Sequence, residues 1–445
     1  MAVPKMDLEM EMLKLTLGLY NNLSIPRNVI QIFVDSITNF VNVTYQNYIL
    51  EKLTVEFKEH HNILLDKVKE ACDSSKTIFD KFQTEYKRFA LYEEKGLLFM
   101  PKERKIGHKY VEEVNDKKLI TKQFDLFGQY MPLKWSLKLL LEIPGTFQLL
   151  KNYMDELENE KNIYSNFIQG ELWKQKYKSK NNELVVPLFV FQDDCELGNA
   201  LGPHAGKNKV GAMYTSIPCF PSQFVTQLDN ILLTGLTYAN DRKLCKNEDF
   251  YKELISELNE LRQKGLDILV GNKVYKIFFQ LCLILGDNLG LNEILGFVES
   301  FNSGKPCRIC KASIDEIKNL INEKDDLLRT KESYQQDCDE NNPSETGINE
   351  ECIFHKVFGF HVCDNIILDL MHDIFEGTAS FTLLKIVNYF IFEKKLFSLE
   401  FLNQRIQKFN NEQIEVSNKI PLLKSGHITS KEKLKMTAAE TMSFV

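Results

Sequence analysis

The chain has no uninterrupted apolar run of about eighteen residues, the length a membrane-spanning helix needs. Its start, MAVPKMDLEMEMLKL, carries no apolar targeting segment with a basic flank. An excess of positive charge is missing too: 55 lysines and arginines stand against 62 acids, for a formal net charge of −7. That argues against a uniformly basic nucleic-acid binder and leaves room only for local basic patches. No DNA-binding finger is evident near the N-terminus. The ten cysteines are scattered along the chain without secretory context. They read as reduced thiols with one candidate metal site, not as a disulfide framework. The rest is ordinary for a globular protein: 445 residues, 44% hydrophobic and 26% charged, with length for two or three domains. The expectation is a nuclear or cytosolic protein with no membrane partner.

Residues 7–95 read as helical, with leucines at helical spacing in LEMEMLKLTLGLYNNL and a helix start at Ser24-Ile25-Pro26. Such a region packs, or dimerises, through its apolar stripe. Residues 101–123, PKERKIGHKYVEEVNDKKLITKQ, mix charges with proline and glycine. They read as a solvated linker, or, through the tyrosine among basic residues, as a contact for a phosphate backbone. Helical character returns at residues 132–154, split at Pro144-Gly145, and residues 155–183 are charged enough to mark a domain boundary. Trp135 and Trp173 are singletons and read as packing residues.

Strands follow. Val186 to Gly202, VPLFVFQDDCELGNALG, is an apolar run ending in Asp193 and Asp194 and then a glycine-bearing turn. KVGAMYTSIPCF and NILLTGLTYA continue it as an antiparallel meander. NEDFYKELISELNELRQKG is an amphipathic helix with Gly265 as its stop, and VYKIFFQLCLILGD is a buried central strand ending in Asp287. Residues 300–350 interrupt the pattern with Cys307-x-x-Cys310 and an acidic, asparagine-rich stretch that reads as a mobile surface insert. Helical character returns at residues 365–396, where DLMHDIFEG sets acids in an apolar helix. The last fifty residues look helical, and the ending ETMSFV suggests a truncated chain.

Acids at the ends of apolar strands are costly unless paired, capping a helix or holding a cation. Magnesium or manganese prefers carboxylate oxygens, and two such ions activate water and stabilise the leaving oxygen in phosphoryl transfer. That chemistry needs three carboxylates converging from rigid elements. Asp193 or Asp194, Asp287 and Glu376 meet the description if their two strands are neighbours. Asp287 before LGLNEILGF reads equally well as a helix N-cap.

Three blocks in this order, DDCELGNALG-x-H-AG, LGDNLGLNEILGF followed by CRIC, and DLMHDIFEG, resemble transposases of the CACTA/Mirage/Chapaev type. The resemblance covers roughly residues 130–445. It implies a cut-and-paste DDE transposase with a ribonuclease-H-like core, acting on transposon ends and target DNA in the nucleus. Carried over, Asp193, Asp287 and Glu376 match the catalytic acids that hold Mg²⁺ or Mn²⁺, and Asp194 is the acidic neighbour of the first. The implied reaction is hydrolysis at the transposon end, followed by attack of the freed 3′-hydroxyl on target DNA. The family's usual Asn-Pro-Leu-Gly-Ser reads Asn199-Ala200-Leu201-Gly202-Pro203 here. A transposase-derived protein that binds DNA or proteins without catalysis is the alternative.

The expected architecture is a ribonuclease-H-like mixed sheet with flanking helices. A helical N-terminal region with a charged linker occupies 1–180 and the first part of the core 181–299. The Cys-x-x-Cys insert spans 300–363, the core helix with the third acid 364–398, and a helical C-terminal part 399–445. Cys307 and Cys310 are half of a tetrahedral zinc site. His361 is a further candidate ligand, with Cys352 or His372 as the fourth; His355 and Cys363 are also in reach by sequence. His372, one turn before Glu376, sits instead beside the catalytic cations or is a core histidine. His204 caps its loop or touches phosphate. A homo-oligomer is compatible with all of this.

Overall fold

The computed structural model describes residues 7–22, 24–56, 62–115, 118–178, 183–198, 209–412, 419–428 and 433–445. Two compact units divide at Met100/Pro101, well before the charged 155–183 stretch that the sequence offers as a boundary. The first is helical, as its leucine spacing requires. Its core is Met12, Leu13, Ile30, Val34, Phe79, Phe82, Leu91 and Tyr92. Within it Arg88 is fully buried and satisfied by the Tyr20 hydroxyl (2.8 Å), Gln31 Oε1 (2.7 Å) and the Phe82 carbonyl (2.6 Å).

The second unit is built on a seven-stranded mixed sheet. Its strands are β1 (Lys102–Asn115), β2 (Lys118–Tyr130), β3 (Val185–Glu196), β4 (Lys209–Ser216), β5 (Leu232–Tyr238), β6 (Leu266–Val270) and β7 (Lys273–Leu285). They lie in the order β1-β2-β5-β4-β3-β7-β6. Pairing is antiparallel throughout except between β3 and β7, which run parallel. β3, β4 and β5 are the meander read from the sequence. The helix Asn247–Gln263 follows, and β7 returns beside β3. Residues Phe279–Ile284 of β7 are buried almost without interruption, as befits a central strand covered on both faces. One core unites Leu137, Leu141 and Leu150 with Val186 and Leu188 of β3, Leu261 of the long helix and Ile277 and Phe279 of β7.

Gly265 ends the long helix in the left-handed region, at φ +71°, and a Cβ there would lie 2.9 Å from the Ile277 carbonyl oxygen. Only glycine fits that turn. The chain then enters β6, which joins β7 through Gly271-Asn272, a two-residue hairpin loop.

Three segments differ from the sequence expectation. The stretch expected to be a linker is a long ribbon, β1 paired with β2 from Lys102↔Tyr130 to Asn115↔Lys118. Only Gln129 and Tyr130 pair with β5, so most of the ribbon needs no apolar face, and its composition is accordingly that of a solvated segment. The acidic insert is packed, not mobile. Tyr334 is fully buried, with its hydroxyl accepting from the Cys352 amide (2.9 Å), and Arg329 bridges Asp337 (2.7 Å) while donating to the Thr346 carbonyl (2.7 Å). One aromatic ring and one buried guanidinium organise what composition alone presents as disorder. The expected helix around DLMHDIFEG is a π-wound segment, Leu370–Ala379, broken at Gly377. Downstream, Leu384, Val387, Ile391, Ile406, Ile420, Leu423, Ile428 and Leu434 form a separate small core.

Candidate active site at the carboxyl ends of β3 and β7

Successive side chains of a strand point to opposite faces, so Asp193 and Asp194 part company at the end of β3. The end itself is pinned by Gln192, whose amide oxygen accepts from the buried Tyr251 hydroxyl of the long helix (2.5 Å). Asp194 bridges Lys209 of β4 (3.1 Å) and faces Gly211, where a Cβ would come within 3.0 Å of its carboxylate. It is the neighbour, not the free acid. Asp193 is exposed, and its Oδ1 accepts from the Asp194 amide (2.8 Å).

The parallel register between β3 and β7 ends at Phe191↔Leu285. β7 ends there, and Asp287 follows two residues on as the cap of the next helix, while β3 runs on through Asp193 paired with β4. Gly286 keeps the two strands close at this point: a Cβ there would meet the Gln192 carbonyl at 3.5 Å. Asp287 also caps the helix Asn288–Leu295, accepting from the Gly290 amide (2.6 Å). The cap and the strand-end acid, alternatives in the sequence, are one residue. The cross-strand row of Asp193 continues through Ala212 and Leu236 to Gln129. The β1–β2 ribbon therefore extends past the end of the sheet where the acids stand.

The segment carrying Glu376 is tied to this end by Asn288, which donates to Asp373 Oδ1 (2.6 Å). Asp369 caps the segment through the Met371 and His372 amides (both 3.1 Å) and holds His372 Nδ1 at 2.5 Å. That hydrogen bond lifts the imidazole above its ordinary value, and the charges of Asp369, Glu376 and Asp287 add to the effect. Glu376 and Asp287 thus both act on His372. A titration followed by the His372 ring proton in NMR should place its pKa above 6.5, and Asp369→Asn should lower it; an unchanged titration in that variant would remove the pair from the account. Glu376 offers its own carbonyl to Lys433 (2.8 Å). Arg308, inside the Cys-x-x-Cys motif, is half-buried and donates to the Ile367 carbonyl (3.1 Å). Burial lowers its pKa, while Asp373 and Asp369 oppose that shift. Sequence reasoning passed over Arg308, Asn288, Asp369 and Asp373, although all four lie inside or beside the quoted motifs.

Among the described residues, no three His, Cys, Asp or Glu side chains stand together as a set able to hold a metal ion. The expected convergence of Asp193, Asp287 and Glu376 into one set of ligands is therefore not present in this arrangement. Two of the three carboxylates are engaged locally, Asp193 with the next amide and Asp287 with its helix.

The same holds for zinc. Cys307 Sγ accepts from the Ile309 and Cys310 amides (both 3.4 Å), and burial followed by the neighbouring Cys307 raises the Cys310 thiol. The proposed partners are engaged in other contacts. Cys352 is buried beneath Tyr334, its thiol raised to about 12 by burial, and His372 belongs to Asp369. His361 stacks on His355 with ring centres 4.1 Å apart, and its Nδ1 accepts from the Cys363 amide (3.1 Å). His204 and the Asn199–Pro203 turn lie outside the described residues.

Burial, and then the His355 ring, hold the His361 imidazole down to about 4. The unfolded chain, with its imidazole near 6.5, therefore takes up this proton first as pH falls. Stability is lost between pH 6.5 and about 4. Thermal unfolding across that window should show a smaller acid-induced drop in His361→Phe; an equal drop contradicts the assignment.

No known protein family and no curated protein matches the chain. The functional reading rests on geometry and on the motifs.

Proposed function

We propose that the chain is a DDE-type transposase, a DNA strand-cleaving and strand-transferring enzyme of the nucleus with a ribonuclease-H-like core. Asp193, Asp287 and Glu376 are its catalytic acids. The observation that carries the reading is the parallel pairing of β3 with β7, the two strands whose carboxyl-terminal ends lead to Asp193 and Asp287. The order β5-β4-β3-β7, an antiparallel meander with a parallel strand returned by a helix, supports the core assignment. Here β1–β2 and β6 extend that arrangement at its two edges. Magnesium or manganese is the cation the carboxylates suit by chemistry, but the three side chains are not gathered to receive it, and no step is drawn through it.

What the residues do is positional. Gln192 and Tyr251 fix the end of β3, the helix cap fixes Asp287, and Asn288 with Asp373 keeps the Glu376 segment at the same end of the sheet. The ungathered acids favour a second reading, a transposase-derived protein that binds DNA or proteins without cutting. The two separate on one assay. The full chain, given Mn²⁺ and DNA carrying the terminal repeats that flank its coding sequence, nicks that DNA under the first reading. Binding without nicking selects the second.

A further inference from the structure

β1 is the outermost strand of the sheet, and its free edge is much longer than that of β6 at the other side. The backbone ladder of β1 is the one it makes with β2 on its inner side. A long unpaired edge is a template for another strand, and proteins commonly blunt it with lysines and bulges. β1 has both, with an extra residue at Ile106. Its charges, however, are sorted along the strand. Lys102, Arg104, Lys105 and Lys109 occupy the first part, against Glu103 alone, while Glu112 and Glu113 stand in the second. An edge of one sign repels its own copy, whereas a sorted edge complements itself when reversed.

We infer that β1 pairs antiparallel with β1 of a second copy of this chain, joining the two sheets edge to edge about a twofold axis. A twofold relates hydrogen-bonded pairs to hydrogen-bonded pairs, so its centre falls on a residue pair and not between two. With the centre at Lys109 and Ile106 passed over, as it is in the pairing with β2, Lys105 stands opposite Glu112. Gly107 then faces Val111, and His108 faces the exposed Tyr110, a ring pair already in edge contact within each chain at 5.3 Å. The two Lys109 side chains meet at the centre, where each is already held by Asp241 of its own chain (3.3 Å). Lys105 has an intrachain partner, Asp125 (2.7 Å), but its side chain stays about half exposed and open to a second carboxylate. The pairing is independent of whether the acids at the sheet end cut DNA.

Sedimentation of the full chain should show a concentration-dependent dimer. Glu112→Lys faces Lys105 of the copy with a like charge and should weaken association at least about tenfold. Adding Lys105→Glu to it reverses both partners and should restore association to within about threefold of the unmodified chain. Hydrogen exchange gives a second measurement should the double variant fail to fold: β1 amides of the unmodified chain slow as concentration rises, and those of Glu112→Lys do not. A monomeric unmodified chain, association unaffected by Glu112→Lys, or a folded double variant that stays monomeric overturns the inference.

Discussion

Asp287→Asn should lower DNA nicking by about 100- to 1000-fold, the scale on which one preorganised electrostatic group contributes to a reaction, while leaving stability almost unchanged. Two roles meet in this residue, and the substitution separates them. As a helix cap, Asp287 accepts from the Gly290 amide, and asparagine caps about as well as aspartate. As a strand-end acid it contributes a negative charge, which asparagine lacks. Asp287→Ala removes both and should cost about 1 kcal/mol of stability in addition to activity. If Asp287→Asn nicks DNA as well as the unmodified chain, Asp287 is a cap and nothing more, and the catalytic triad is lost. If the alanine variant is as stable as the asparagine variant, the cap is idle.

Glu257→Ala should be the most destabilising single change in the sheet-bearing unit, at about 3–5 kcal/mol. Glu257 is buried on the long helix and accepts three hydrogen bonds: from the Tyr130 hydroxyl at the end of β2, and from the Leu133 and Lys134 amides (2.8 and 2.7 Å). The last two open the helix Leu133–Glu142, which begins after Pro132 with no side-chain cap of its own. Truncation strands two backbone donors and a phenol away from water, and each such group costs about 1–3 kcal/mol. Burial and the Glu257 charge already push the Tyr130 hydroxyl far above its ordinary range, so it stays a donor at any working pH. Glu257→Gln keeps the volume but places an amide where acceptors are required, and it should recover only part of the loss. Urea unfolding measures both; a loss below about 1 kcal/mol for alanine would show that the three donors find other partners.

How far the chain could be read in advance depended on what each segment buries. β3 and β7 are interior strands of the sheet, so their apolar runs stand out in VVPLFVF and KIFFQLCLIL. The long helix showed itself through its period and Gly265. The ribbon did not, because two strands that pair mainly with each other need few apolar residues. Alternation survives only in Phe124, Leu126 and Tyr130, hidden among charges. β6, five residues long, carries too short an alternation to stand out, although Gly271-Asn272 marks its hairpin. The insert misled through composition: Tyr334 and Arg329 are two residues in an acidic stretch, and burial is not legible from either alone.

At the candidate site, spacing pointed to Asp193 and Asp287, and the structure pairs the strands that lead to them in parallel. Glu376 was named first by its place in the apolar helix pattern of DLMHDIFEG and then by the motif resemblance. What ties it to the same end of the sheet is Asn288 and Asp373, a contact between residues 85 apart that no local pattern encodes. The zinc reading took Cys307 and Cys310 as half of a tetrahedral site, but among the described residues no set of ligands gathers around them, and His361 stacks on His355 instead.

The most direct measurement is nicking by the full chain of DNA bearing its flanking terminal repeats, in Mn²⁺, with Asp193→Asn, Asp287→Asn and Glu376→Gln assayed alongside. The account predicts cleavage by the unmodified chain and its loss in each of the three folded variants. Cleavage that persists when any of the three acids is neutralised, or no cleavage by the unmodified chain on DNA that it binds, contradicts it.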